Sequence, residues 1–514
     1  MGDAATRQRF SGFMFLMVRK NARPGESPKP LVMRATRLVL ILLLTVLSTA
    51  VAGSAEPLFI PIDLGTLGGN ALANAVNDSG RVVGVVYGAE FRAFSWTPAE
   101  GMIDLGTLGC GGSSKGAAAV NASGQIVGSF TTCDFAEHAF SWTPTGGMID
   151  LGTLGGRAAV ASAVNDSGQV VGRSNPTGDF GFRAFSWTPA GGMVDLGTLG
   201  GSDGFARAVN ASGQVVGFEH LTSTRAFSWT PAEGMIDLGT LGGTTFDFSI
   251  AVAVNDRGQV VGASSLNGAH HAISWTRADG MIDLGNLGGP HSEATAVNAN
   301  GQIVGWSNVG NRFKRHAFSW TPAGGMIDLG VLGETFDLSE AVAVNDRGQV
   351  VGSSSRASYW RAFSWTPAGG MVELPALSGI GGSDAVAVNA SGQVVGSSFN
   401  VDGYLHPVLW QPITNLGCNA TLAGCNLKGA NLAGAYLKDR NLSDANLTDA
   451  NLTNANLAAA NLTDTNLKEA NLTNANLAGA NVNGANVKDV IWSNTICPDG
   501  TNSDANGGTC VQHL

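Results

Sequence analysis

Residues 136–173, AEHAFSWTPTGGMIDLGTLGGRAAVASAVNDSGQVVGR, decide the fold, because nearly the same string returns along most of the chain. The tryptophan of its FSW element recurs as Trp96, Trp142, Trp187, Trp229, Trp275, Trp320, Trp365 and Trp410, at spacings of 42 to 46 residues. The asparagine of AVN recurs as Asn77, Asn121, Asn165, Asn210, Asn255, Asn298, Asn345 and Asn389. Repetition at this period is the signature of a repeat architecture. Within one copy lie four short runs, GMIDLGTL, ASAVN, QVVG and HAFSW, each bounded by Gly, Asn, Asp, Ser or Pro. Runs of about four to eight residues are strands and too short for helices. The NDSG or NASG between AVN and QVVG predicts a tight hairpin with glycine at positive φ. Four antiparallel strands in about 45 residues make one propeller blade.

One blade cannot bury both of its faces, so neighbours must stack, and a closed circle removes exposed edges. The expectation is an all-β protein whose residues 56–413 form an eight-bladed β-propeller of four-stranded blades, with the repeated tryptophans as packing. The chain enters this region on a MIDLG-type strand (residues 57–65) and leaves it on an FSW-type strand (residues 406–411). Elsewhere those two strands are joined by the TPAGG loop, so the first and last strands are predicted to pair. An open solenoid is the alternative topology.

The elements HAFSW, GMIDLGTLGG and AVNDSGQVVG resemble the HAF-repeat family of extracellular bacterial proteins over about residues 57–412. The resemblance implies export and a repeat scaffold, and no defined reaction. Four copies replace the HAF histidine by Arg92, Arg183, Arg225 or Arg361, which argues against a ligand or catalytic base at that position.

Residues 33–55 have the form of a secretory signal peptide: Arg34 and Arg37, an apolar run from Leu38, then small residues. Met33 is a candidate start, with residues 1–55 as the N-terminal extension and signal. The run is shorter than the roughly 20 residues a membrane span needs, so no stable span after cleavage is expected. Residues 1–55 hold eight basic and two acidic side chains, leaving 21 basic and 37 acidic in the remainder, a net charge of −16. An exported acidic protein, extracellular or periplasmic, is a poor partner for nucleic acid. In an oxidising compartment the spacing of six cysteines suggests the pairs Cys110–Cys133, Cys418–Cys425 and Cys497–Cys510, one of fifteen pairings.

From residue 421 the period changes to five, with Leu422, Leu427 and Leu432 continuing to Leu477, then Val482, Val487 and Trp492. Alanine usually precedes each by two places and asparagine by one. This resembles the pentapeptide-repeat family, which implies a right-handed quadrilateral β-helix over residues 414–492 with the leucine and the small residue pointing inward. A tail, residues 493–514, follows. Some family members mimic DNA, but residues 421–490 hold six acidic against five basic side chains, which does not make an acidic surface. In the tail, Asn502, Asp504, Asn506 and Gly507 have the spacing of the start of a calcium loop, but His513 stands where a glutamate is needed. A glycine-rich turn without a cofactor is expected, with calcium the alternative.

In an up-and-down blade the loops alternate between two faces, and here one face carries all the length and sequence variation. Its loops hold Trp306, Tyr359, Trp360 and Tyr404, outside the repeat consensus and beside polar groups. These four are the candidate ligand-binding residues, for a glycan or a protein. The repeated acids, Asp63 to Glu373, are read as acceptors for turn N–H groups. No catalytic arrangement stands out, so the expected function is non-enzymatic binding. A lyase or glycosidase on the propeller, or a structural envelope protein, are the alternatives.

Overall fold

The computed structural model describes residues 58–108, 114–178, 181–220, 222–242, 247–310, 314–333, 337–378, 381–413 and 422–514. Residues 33–55, where a signal peptide is expected, lie outside the described residues, as do Cys110 and Cys418.

The first strands set the pattern: β1 (Leu58–Asp63), β2 (Asn70–Val76), β3 (Val82–Tyr87), β4 (Arg92–Thr97) and β5 (Gly101–Asp104). Strands β2 to β5 pair antiparallel in chain order as one four-stranded sheet. The same path, AVN strand to VVG strand to FSW strand to MID strand, repeats along the chain in propeller-like sheets. Two such groups are joined into an eight-stranded sheet by a single parallel bridge, Ala158 to Glu137.

Packing between groups explains the consensus. Val83 and Ala93 of one group meet Ile126, Phe130 and Phe140 of the next in one buried cluster. The glycine of VVG is forced by packing within its own group: a Cβ on Gly172 would lie 2.0 Å from the Val160 carbonyl oxygen and 2.9 Å from the Phe185 ring. Real side chains cannot approach that closely, so only glycine lets the phenylalanine of FSW close over the neighbouring strand.

Polar consensus residues are buried and satisfied. The Asn165 amide donates to the Gln169 side-chain oxygen at 3.3 Å and the Asn210 carbonyl at 3.0 Å, while the Gln169 amide donates to Ser186 Oγ at 2.8 Å. Every AVN asparagine donates in the same way to the carbonyl of the next one, and Asn389 donates back to the Asn77 carbonyl at 3.1 Å. The eight amides therefore form a closed circuit. The residue after each asparagine alternates, Asp78, Ala122, Asp166, Ala211, Asp256, Ala299, Asp346, Ala390. Each aspartate Oδ1 accepts the backbone N–H of an alanine in the preceding group, Ala390 giving its N–H to Asp78.

The terminal strands meet as expected: β1 pairs antiparallel with Leu405–Ile413, completing the sheet of Val394–Phe399 and Ser383–Val388. The other edge of β1 is also covered. Ile62 bridges to Ala435, the Asp63 N–H donates to the Gly434 carbonyl at 3.2 Å, and the Tyr436 N–H donates to the Pro61 carbonyl at 2.9 Å. The pentapeptide segment thus docks on the sheet edge, as an unpaired strand edge requires.

In that segment each residue before a leucine bridges in parallel to the one 20 residues later, as Asn446 to Asn466 and Asn451 to Asn471, so four pentapeptides make one coil. Leu447, Leu452, Leu457 and Leu462 have no exposed surface, and Ala445, Ala450 and Ala455 are buried beside them. Stacked asparagines bond along the outside, Asn451 Nδ2 to Asn431 Oδ1 at 3.1 Å. A disulfide joins Cys497 to Cys510 beyond the last coil. Cys133 and Cys425 are also disulfide-bonded, and no described cysteine is free.

Candidate functional site

Strand lengths sort the loops into two classes. The connection after an AVN strand is always five residues, as Asn77–Arg81, and that after an FSW strand always three, as 98–100. By contrast, the connection after a VVG strand ranges from two residues (357–358) to six (177–182). Constant loops and variable loops fall on opposite ends of the strands, so the sheets hold one monotonous face and one free to differ.

Seven aromatic side chains are exposed among the described residues: Tyr87, Phe91, Phe135, Tyr359, Trp360, Phe399 and Tyr404. All belong to the connections after VVG strands or to the strand ends beside them. Several are linked across groups. A Cβ built on Gly382 would lie 3.5 Å from the Trp360 carbonyl oxygen and 3.8 Å from the Phe399 ring. The Tyr404 loop reaches the first group through the Leu405 N–H, which donates to Asn70 Oδ1 at 2.8 Å; Asn70 in turn pairs with Tyr87, whose ring meets Phe91 edge-on at 5.3 Å. Tyr359, Trp360 and Tyr404, all expected here, are 53%, 37% and 58% exposed. Phe399, Tyr87, Phe91 and Phe135 were not singled out from sequence, although they too stand outside the consensus.

Trp306 corrects the sequence reading. It is not in a loop but inside the strand Ile303–Val309, half-buried, opposite Glu293 and Ala317. The Arg315 guanidinium lies 4.2 Å over its ring and ion-pairs with Glu340. A ring already covered by a cation is a packing element rather than an open plate.

The repeated acids do accept turn N–H groups. Asp150 Oδ1 takes the Gly152 N–H at 2.7 Å and Asp283 Oδ1 takes that of Gly285 at 2.8 Å. Their carboxylates also meet the residue of the HAF position: His138 with Asp150, His271 with Asp283, His316 with Asp328 and His406 with Asp63, at 2.8 to 2.9 Å. Arg92 with Asp104 and Arg361 with Glu373 occupy the same place. Histidine and arginine exchange there because both hold a carboxylate. At Asp328 burial raises the carboxyl pKa, but hydrogen bonds from His316 and the Gly330 N–H outweigh it and hold the group below its ordinary value.

Concave space is modest. A cavity of about 340 Å³ at the constant-face end is lined by Asn255, Asn298, Asn345 and Asn389 with Asp78, Asp256 and Asp346. A wider cleft of about 650 Å³ separates the pentapeptide coil from the loop of Trp96 to Met102. Among the described residues no group of three or more His, Cys, Asp or Glu is arranged to hold a metal ion. In the tail, Asn502 caps the short 3-10 turn Ser503–Asn506, Asn506 donates to Thr501, Asp504 Oδ1 accepts the Asn494 N–H at 2.8 Å, and His513 pairs with Asp499. The Thr501 hydroxyl and N–H hold the Asp499 carboxyl down at about 2.

Residues 419–454 and 450–489 match the family model for pentapeptide repeats. No curated protein matches the chain. Among solved structures, it is similar to the pentapeptide repeat protein Rfr23 from the cyanobacterium Cyanothece 51142, at 42% identity over 15% of this chain and 52% of that one, with a TM-score of 0.15. It is also similar to Porphyromonas gingivalis dipeptidyl peptidase 4, at 11% identity over 66% of this chain and 58% of that one, with a TM-score of 0.43. This chain thus spans only about half of each of those two structures. No helix among the described residues is long and apolar enough to cross a membrane.

Proposed function

We propose that the protein is an exported, non-enzymatic binding module: an eight-bladed propeller of HAF repeats that presents its variable-loop face to an extracellular glycan, with a right-handed quadrilateral β-helix docked on its closing strand. The closed circuit of eight asparagine amides supports the blade count. Residues 33–55 support export. One observation carries the binding face: among the described residues all seven exposed aromatics stand at the connections after VVG strands, on the variable-loop face, and none beside the constant loops. Aromatic plates next to polar groups such as Asn70 and Asn400 suit the apolar face and hydroxyl rim of a sugar ring. The constant-face mouth is lined by scaffold asparagines, and its aspartates commit an oxygen to backbone N–H groups, which favours binding over a hydrolytic or lyase site.

The test is a glycan panel probed with the full chain beside a Trp360→Ala/Tyr404→Ala variant. Truncating two stacking rings is expected to weaken the bound glycan at least about tenfold, at roughly 1 kcal/mol per ring. A bound glycan that the variant retains in full would overturn the assigned face. A panel with no bound glycan would sink the carbohydrate reading in favour of a protein partner.

A further inference from the structure

The repeat writes two positions with small or neutral residues almost throughout. One follows VVG, where the copies have Val85, Ser129 or Ala263; the other lies in the AVN strand three places before the asparagine, where they have Asn74, Ala118 or Val252. Only one pair of neighbouring groups places cations there: Arg173 at the first position and Arg207 at the second. In a chain otherwise so repetitive and so acidic, two arginines side by side need an explanation.

Their surroundings form an ordered stack. The Arg173 guanidinium lies 4.5 Å from the Phe182 ring and 5.0 Å from that of Phe205. Phe205 stacks on Phe218 at 5.0 Å with 22° between the planes, and Arg207 lies 5.6 Å over Phe218. Phenyl faces hold both guanidiniums in place without neutralising them. Arg173, Arg207, Phe205 and Phe218, with Ser162 and Val160, line a cavity of about 270 Å³.

Neither guanidinium has a hydrogen-bond or ion-pair partner among the described residues, and the nearby acids are committed elsewhere. Glu219, fully buried, accepts the N–H groups of Leu199 at 2.5 Å and Gly201 at 3.1 Å. Asp203 accepts the Phe182 N–H at 2.9 Å. Other arginines of this face are paired, Arg315 with Glu340 and Arg356 with Glu373. Held donors without an acceptor, beside a hydroxyl and apolar walls, form a receptor for an oxyanion carried on a small ring.

We infer that Arg173, Arg207 and Ser162 form a subsite for an anionic sugar unit, whose carboxylate or sulfate oxygens the guanidiniums bind in the cavity that Val160, Phe205 and Phe218 wall. The inference goes beyond the aromatic-loop reading and shares no residue with it, so either can fail alone. The test titrates the full chain with glucuronate, glucose 6-sulfate and glucose, and repeats the titration with Arg207→Gln. Arg207 is exposed, so its loss leaves the scaffold intact; unchanged melting of the variant checks this. The expected result is saturable binding of glucuronate or the sulfated sugar, none of glucose, and a loss of roughly ten- to hundredfold in the variant. Which of the two anions binds identifies the oxyanion. Glucose binding as well as the charged sugars, or an affinity that Arg207→Gln leaves unchanged, would overturn the subsite, as would no binding of either anion.

Discussion

At the residue scale the consensus is a set of satisfied polar groups, and this is why so little of it is free for chemistry. Asn, Gln and Ser bond to one another in the interior, and the acid of MIDLG divides its oxygens between a turn N–H and a His or Arg. The acid's role was legible because Asp followed by Leu-Gly is a local turn signal. Its pairing with the HAF residue was not, because the two stand 12 residues apart on adjacent strands. A pH dependence follows. Asp328 has a folded pKa below its ordinary value, so its contribution to stability is complete above the unfolded carboxylate pKa of about 3.9 and is lost as pH falls through the lower folded value. Asp328→Asn should lower the urea midpoint at neutral pH and leave it nearly unchanged in strong acid. Parallel midpoint curves for the two proteins from neutral to acid pH would contradict this assignment.

At the element scale, strand existence was readable and strand ends were not. The VVG consensus ends at Gly305, yet hydrogen bonding runs on through Trp306 and Asn308 to Val309. Partner strands set that boundary, and they are far away in sequence. The coil, in contrast, was expected through the resemblance to the pentapeptide-repeat family, and leucine and alanine at a fixed spacing of five agree with its inward-facing packing. Its corners carry a cost that composition hid. Ala459 and Glu469 sit at φ of 56° and 62°, where a Cβ is strained, while Gly479 and Gly484 fill equivalent corners freely. Ala459→Gly should therefore stabilise the coil, by up to about 1 kcal/mol after the entropic cost of glycine is counted. A lowered denaturation midpoint would show that the corner prefers its methyl group.

At the scale of the whole molecule, β1 is a shared part. It pairs with Leu405–Ile413 on one side and with the pentapeptide coil at Ala435 on the other. The first pairing was foreseeable from the phase of the repeat. The second was not, because it is made by backbone groups of Pro61, Asp63, Gly434 and Tyr436 and leaves no side-chain signature. The Arg173–Arg207 stack was equally invisible, since residues some 34 positions apart become neighbours only once adjacent groups pack. Deleting residues up to Asp63 should unpair both partners at once. Limited proteolysis is then expected to cut near 405–421, and melting to split into two transitions; a single transition at the original temperature would show that β1 is dispensable.

The alternation of aspartate and alanine behind the asparagine circuit carries one more consequence. Each aspartate reaches back to an alanine N–H, and an aspartate beside another aspartate would crowd two carboxylates into one turn. The hereditary unit of this scaffold is accordingly a couple of repeats, not one. Genes for such proteins should gain or shed copies in twos, and a relative with an odd number of copies would have to carry a visible scar where the parity fails.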